Sequence, residues 1–218
     1  MSGSWHRAAR HAPMSHLSTA PNAMDPQAVN ELFPHIRIVI GMVIGLAIAR
    51  LLTGIARLIQ HPKRYRISAI HLLWVFSLLV ELALFWWWEF ALSRLPSLTF
   101  GTFAFLIVYA LTLFLLCALL FPDDLDEYAD YEDYFLNRRR WFFGLFALTF
   151  VLDVVDTALK GQAHWSHYSA DYLVQVPLGL GICLVASLWA NKRLQLGTAL
   201  LHIAYQAYWM ARVLSAPV

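Results

Sequence analysis

Five polar side chains lie inside runs of sequence that are otherwise apolar: Arg50, Glu81, Asp153, His202 and Gln206. A charged group at the centre of a bilayer costs about 2.5–3.5 kcal/mol even on lenient insertion scales, so such residues face a helix-bundle interior and mark ion or proton paths. With 1.5 Å of rise per residue, Arg50 falls roughly 13 Å from the cytoplasmic end of its run, and Glu81 and Asp153 each fall roughly 18 Å from theirs. His202 and Gln206 fall at roughly 12 and 18 Å. Tyr109 and Thr112 occupy the same zone.

That shared depth points to a definite chemistry. Two carboxylates near the bilayer centre cannot both stay ionised and unpaired. Arg50 can neutralise one through its planar fork of donors. The other can be held as the uncharged acid, with His202 near enough in depth to exchange its proton. This is the chemistry of a small-cation or proton pathway. A buried network that only fixes helix packing uses the same residues, and both readings are carried forward. Asp153, Asp156, Thr157 and Lys160 recur at three- and four-residue spacing and share a face. Lys160 is expected to snorkel to the outer interface and to form an ordinary intrahelical pair with Asp156.

Other chemistries find less support. His71 and His202 differ in depth by about 9 Å, too far for two axial ligands of one haem. His164 and His167 in HWSH lack cysteine or carboxylate partners at a zinc-site spacing. HExxH, GxSxG, Walker and GxGxxG patterns are absent. No catalytic residue, metal ligand or cofactor is therefore expected. Cys117 and Cys183 both sit in apolar runs and do not suggest a disulfide framework.

The elements that must position these residues follow from composition. Of 218 residues, 60% are hydrophobic and only 14% are charged, with a mean hydropathy of +0.56. A soluble domain carries nearer a quarter charged residues. Runs of about 20 apolar residues span the hydrocarbon core, and lipid forces them to be helical because no water is present to satisfy the backbone. Six spans are expected, at about 36–59, 69–92, 100–121, 141–159, 172–190 and 194–214. Short connectors make sequential neighbours antiparallel, giving an all-α membrane bundle of three hairpins. Residues 1–30 are expected to lack fixed structure, and Met24 reads as the more natural start.

Lysine and arginine set the orientation. Lys63, Arg64 and Arg66, then Arg138, Arg139 and Arg140, then Lys192 and Arg193 mark the odd-numbered connectors as cytoplasmic, with both termini outside. Arg7, Arg10 and Arg37 oppose that bias. Trp86, Trp87 and Trp88, with Trp165, Tyr168 and Tyr172, fit an outer aromatic belt, and Trp141 an inner one. The net charge of +2 comes with no basic patch, which argues against nucleic acid. A bacterial-type inner membrane is the expected location, from the compact design and the missing targeting segment.

Two packing features stand out. Gly41, Gly45, Ala49 and Thr53 form a small-residue row that suits close helix contact, within the chain or with a second copy or partner. Pro177, Gly179 and Gly181 predict a kink in the fifth span. The charge itself is concentrated in one connector. Asp123, Asp124, Asp126, Glu127, Asp130, Glu132 and Asp133 precede the three arginines. Acids after Pro122 and arginines at the end suit a short amphipathic helix on the cytoplasmic face. Its acids would face water, gather cations at a pore mouth, or dock a basic partner.

Three functions follow in order. The first is a small-cation or proton channel or transporter built on the mid-membrane cluster. The second is a non-transporting membrane subunit that holds partners. The third is a membrane enzyme acting on lipid, which lacks a visible nucleophile–base pair.

Overall fold

The structure, a computed structural model, describes residues 26–62, 66–94 and 99–215. Met24, Lys63 and Arg64 lie outside the described residues, as do the side chains of His164, His167 and Tyr168. Everything described is helix or connector. The helices are α1 Pro26–Gln60, α2 Ala69–Trp88, α3 Phe100–Leu120, α4 Tyr131–Leu159, α5 Gln162–Leu188 and α6 Lys192–Ser215. A 3-10 segment, Glu89–Arg94, continues α2.

The helix starts are chemically marked. Ser68, Thr99 and Asp130 each sit in extended backbone and accept a bond from a first-turn N–H of α2, α3 and α4. Asn191 Oδ1 accepts from Arg193 N at 2.9 Å at the start of α6. Between α4 and α5 only Lys160 and Gly161 remain, and Gly161 takes φ +100°. That left-handed backbone suits glycine and lets the chain reverse at once.

Five segments are long and apolar enough to cross a membrane: Phe33–Gln60, Ala69–Ser93, Phe100–Leu120, Tyr131–Leu159 and Ser169–Leu188. Large apolar side chains cover the outside, including Ile38, Met42 and Leu46 on α1 and Val108, Leu111 and Leu115 on α3. A water-soluble monomer rarely shows such continuous apolar surface. The protein is an integral membrane protein by these criteria. The expected sixth span does not reach the same hydropathy among the described residues. The reason is that α6 carries Gln195, His202 and Gln206, which bond inward to other helices.

Of the three expected hairpins, α3–α4 packs broadly, whereas α1–α2 and α5–α6 do not. Besides the α4–α5 pair, the broadest contacts join α1 to α3 and α2 to α6. In contrast α5 and α6, joined only by Trp189–Asn191, touch little. The core between α2, α4 and α6 is aromatic. Trp74, fully buried, meets Phe142 edge-on at 4.9 Å and Phe146 at 5.2 Å. α5 runs through Pro177 as one helix.

The small-residue row divides. Gly41 lies against the Trp86 ring, while Gly45, Ala49 and Thr53 are exposed on the outside of the bundle. The tighter approach is at Gly54, where the Phe121 ring occupies the space a Cβ would take, 2.2 Å away.

The acidic connector is not a helix of its own. Residues 121–130 are irregular, and the arginines belong to α4, which begins at Tyr131 and runs unbroken into its apolar span. The local reason is Asp130, whose carboxylate caps two N–H groups and starts α4 there. Several acids are bonded within the chain. Asp123 Oδ1 accepts from Arg50 Nη2 at 2.7 Å, and the same nitrogen donates to Phe121 O at 2.7 Å. Glu132 accepts from Ser68 at 3.2 Å and pairs with Lys192 at 2.5 Å, tying α2, α4 and α6. Asp133 accepts from Ala129 N and Asn137 Nδ2. Asp124, Asp126 and Glu127 are exposed.

The glycine contrast is testable. Gly54→Ala is expected to lower stability by about 1–3 kcal/mol through overpacking against Phe121. Gly45→Ala, in the interior of α1 with open space at its Cβ, is expected to raise it by about 0.5–1 kcal/mol through helix propensity. Thermal unfolding in detergent micelles measures both. The Arg50 guanidinium holds the Asp123 carboxyl below its ordinary value, first by its hydrogen bond and then by its charge. A lowered pKa contributes stability at higher pH that is lost on acidification. The advantage of the wild type over Asp123→Asn is therefore expected at pH 6, and to shrink as pH falls below about 4. Parallel melts across pH measure it.

Candidate functional site

The buried polar residues converge on one cavity of about 80 Å³ between α2, α3, α4, α5 and α6. Its walls carry the carboxyls of Glu81, Asp153, Asp156 and Asp171, with Lys160 as the lysine among them. Among the described residues, α1 contributes nothing to the lining.

On α4, spacing does most of the positioning. Asp153, Asp156, Thr157 and Lys160 present one face to the interior. Lys160 does not snorkel. Its ammonium is 2% exposed and donates to Glu89 Oε1 at 3.1 Å and to Asp156 Oδ2. The reversal at Gly161 follows Lys160 directly, so the side chain stays within the bundle instead of extending along a longer helix. Glu89 comes from the 3-10 continuation of α2 and is itself 1% exposed. The result is a buried triad of two carboxyls and one ammonium, joining α2 to the end of α4.

One turn deeper, Asp153 Oδ2 accepts from the Tyr172 hydroxyl at 2.9 Å, and Thr157 meets the same hydroxyl at 2.7 Å. Tyr172 thus leaves the outer aromatic belt it was expected to join. The tryptophans also divide. Trp86 covers Gly41 and, with Phe90, stacks on Arg37; Trp88 lines the cavity; only Trp87 of the three is strongly exposed, at 52%.

Across the cavity, Gln206 Nε2 donates to Glu81 Oε2 at 2.8 Å and to Ser77 O at 3.0 Å. Ser77 Oγ lies 2.7 Å from His202 Nδ1. The His202 ring stacks on Trp74 at 5.6 Å. Farther along α5 and α6, Arg212 pairs with Asp171 at 3.1 Å, both half-exposed, and its guanidinium lies 4.7 Å from the Trp209 ring centre.

Of the five residues singled out from sequence, the structure brings together Glu81, Asp153, His202 and Gln206. It does not bring Arg50. That guanidinium is with Phe121 and Asp123 beside the connector, and Lys160 is the cation that meets the cavity's carboxyls. Thr112 is also elsewhere in use, bonding to Val108 O within α3. His71 meets Leu120 O at 2.6 Å and stacks on Tyr131, pinning α2 to the end of α3.

Sequence reasoning missed Glu89, Tyr172 and Ser77. A signal for Glu89 exists: it is eight residues from Glu81, two helical turns along one face. Nothing local marks Tyr172 or Ser77, whose partners are 19 and 125 residues away.

Three buried acceptor oxygens at this site have no hydrogen-bond donor: Glu89 Oε2, Asp156 Oδ1 and Gln206 Oε1. A buried oxygen of this kind is costly unless something donates to it or binds it. The arrangement is thus acceptor-rich, and it suits a proton, an ammonium group or another small cation.

The chain matches no protein-family model, no curated protein and no solved structure.

The triad generates a stability test. Lys160→Met leaves two buried carboxyls without their cation and is expected to cost about 3–5 kcal/mol. Lys160→Met combined with Glu89→Gln and Asp156→Asn removes the charges together and is expected to recover most of that loss. Thermal unfolding of the purified variants in detergent measures both.

Proposed function

We propose that this protein binds and passes a proton or a small cation through a six-span bundle, using the acidic cavity as its intramembrane site. One observation carries the reading: four carboxyls line one cavity beside Lys160, with acceptor oxygens of Asp156 and Gln206 lacking donors. The lining carries more acids than cations, an imbalance that a proton or cation offsets.

Roles follow from position. Glu81 and Asp153 are the exchangeable carboxyls, each held by one neutral donor, Gln206 and Tyr172. The Glu89–Lys160–Asp156 triad sets the local charge. His202, linked through Ser77 and Gln206 to Glu81, is the relay toward the inner half of the bundle. Asp171 and Arg212 form the outer rim.

The sixth span is part of the proposal. α6 has 24 residues, about 36 Å of helix, against a hydrocarbon core of about 30 Å. Its polar residues point inward, and Leu200, Leu201 and Met210 are exposed. With six spans, the lysine and arginine bias puts the acidic connector in the cytoplasm and both termini outside. A bacterial-type inner membrane remains the location we propose.

A second reading, a subunit that holds a partner or a second copy in the membrane, is favoured by one feature. Gly45, Ala49 and Thr53 form an outward row on α1 that no part of this chain covers among the described residues.

Proteoliposome flux separates the readings. Wild type is expected to carry protons or a common monovalent cation above the protein-free background, and Asp153→Asn to reduce that flux at least ten-fold. Equal, background-level flux in both overturns the transport reading.

A further inference from the structure

Resting on the reading of the acidic cavity as a cation site, we propose that its ligand is an amphiphilic primary amine, which enters sideways from the lipid between α5 and α6. The ammonium group would lie among Glu81, Asp153, Asp156 and Gln206, and the aliphatic tail along the α5–α6 face.

The space is continuous in its lining. The acidic cavity and a second, apolar chamber of about 120 Å³ share Phe146, Phe150, Gln175, His202 and Tyr205. That chamber in turn shares Leu178, Ile182, Thr198 and Leu201 with a groove of about 560 Å³ on the outside of the bundle. Leu178 and Leu201, at the lip, are 60% and 54% exposed. They lie on the hydrocarbon-facing surface.

The sequence explains why a gap exists there. α5 and α6 touch little, and the groove walls include Pro177, Gly181 and Gly197. A Cβ at Gly181 or Gly197 would meet nothing within 4 Å, so those glycines leave space unfilled instead of admitting a neighbouring backbone. Deeper in, Gly179 admits the Phe150 ring, which would sit 2.5 Å from a Cβ there. Phe150 therefore stands between the polar cavity and the apolar chamber.

The head group is assigned by charge and donor count. The cavity offers carboxylates and two acceptor oxygens without donors, Asp156 Oδ1 and Gln206 Oε1, on residues 5% and 3% exposed. A primary ammonium supplies three N–H donors and one positive charge. A quaternary ammonium supplies the charge without donors, and a fatty acid supplies neither. An ammonium group takes about the space of one water, roughly 30 Å³, which the cavity holds. The tail is assigned by the chamber, whose walls include Trp74, Phe146, Phe150, Leu178, Ile182 and Leu201.

The test uses the full-length protein in lipid nanodiscs. Equilibrium binding of dodecylamine, dodecyltrimethylammonium and dodecanoate is measured against empty nanodiscs, beside wild-type proton or cation flux in proteoliposomes. Dodecylamine is expected to bind saturably at one site per chain, at least ten-fold tighter than the quaternary analogue, with no saturable binding of dodecanoate. Gly197→Phe fills the groove at a residue that lines neither the acidic cavity nor the chamber. It is expected to weaken dodecylamine binding at least ten-fold while leaving small-ion flux unchanged. Asp153→Asn is expected to weaken both. Saturable dodecylamine binding that Gly197→Phe leaves intact, equal binding of dodecanoate, or no saturable binding at all overturns the lateral-entry proposal, while normal flux sensitivity to Asp153→Asn keeps the cation site. Flux and binding that both ignore Asp153→Asn overturn the cation site itself.

Discussion

An ammonium group inside a lipid-facing bundle has to be neutralised where it lies, and Lys160 is neutralised by two carboxyls from different directions. Asp156 is one turn back on the same helix, and Glu89 arrives from the end of α2. Removing the lysine leaves two acids without a cation in a medium that cannot solvate them, and removing either acid leaves the ammonium with a single partner. The triad thus constrains α2 and α4 to meet at their C-terminal ends. It also places one cation beside a cavity that holds more acids than cations. The rest of the site is arranged around that imbalance.

The two ends of the bundle are held by different chemistry. At the end that holds the triad the contacts are buried ion pairs and cation–aromatic stacks, with Arg37 over Phe90 at 4.0 Å and Arg212 beside Trp209. At the end that holds the acidic connector its acids act as caps and latches, Asp130 on α4, Asp123 on Arg50 and Glu132 on Lys192. Between them, α2, α4 and α6 interlock through the Trp74 aromatic cluster, and α2 and α6 through Ser77, His202, Glu81 and Gln206. By comparison the α5–α6 seam is loose. Firm contacts on three sides of the cavity and a glycine-lined gap on the fourth give it a lateral face as well as an outer rim.

Much of this was legible along the chain. The apolar runs located five spans to within a few residues at most ends, because a helix that must satisfy its own backbone in lipid is specified by length and hydropathy alone. The helices themselves run longer than the spans at three starts: α1, α4 and α5 begin at Pro26, Tyr131 and Gln162, each ten residues before its expected span, and at α4 the reason is Asp130, which caps it there. Counting depth brought Glu81, Asp153, His202 and Gln206 to one layer, since helical rise is nearly constant. α6 illustrates the limit of hydropathy: its glutamines and histidine lower the average while bonding inward, and a composition window cannot see which way a side chain points.

What the sequence by itself determined is the membrane class, the helical elements and the depth of each polar residue, all consequences of local period and of a solvent that accepts few charges. Only the tertiary structure decided who pairs with whom. Arg50 and Lys160 are each at plausible depths for a carboxylate partner. The choice between them depends on azimuth around the helix and on which helices are neighbours. α1 lies against α3 and sends Arg50 to Asp123, and the one-residue reversal at Gly161 keeps Lys160 inside beside Asp156 and Glu89. Depth is a property of one helix, whereas a pair in a low-dielectric interior is a property of two.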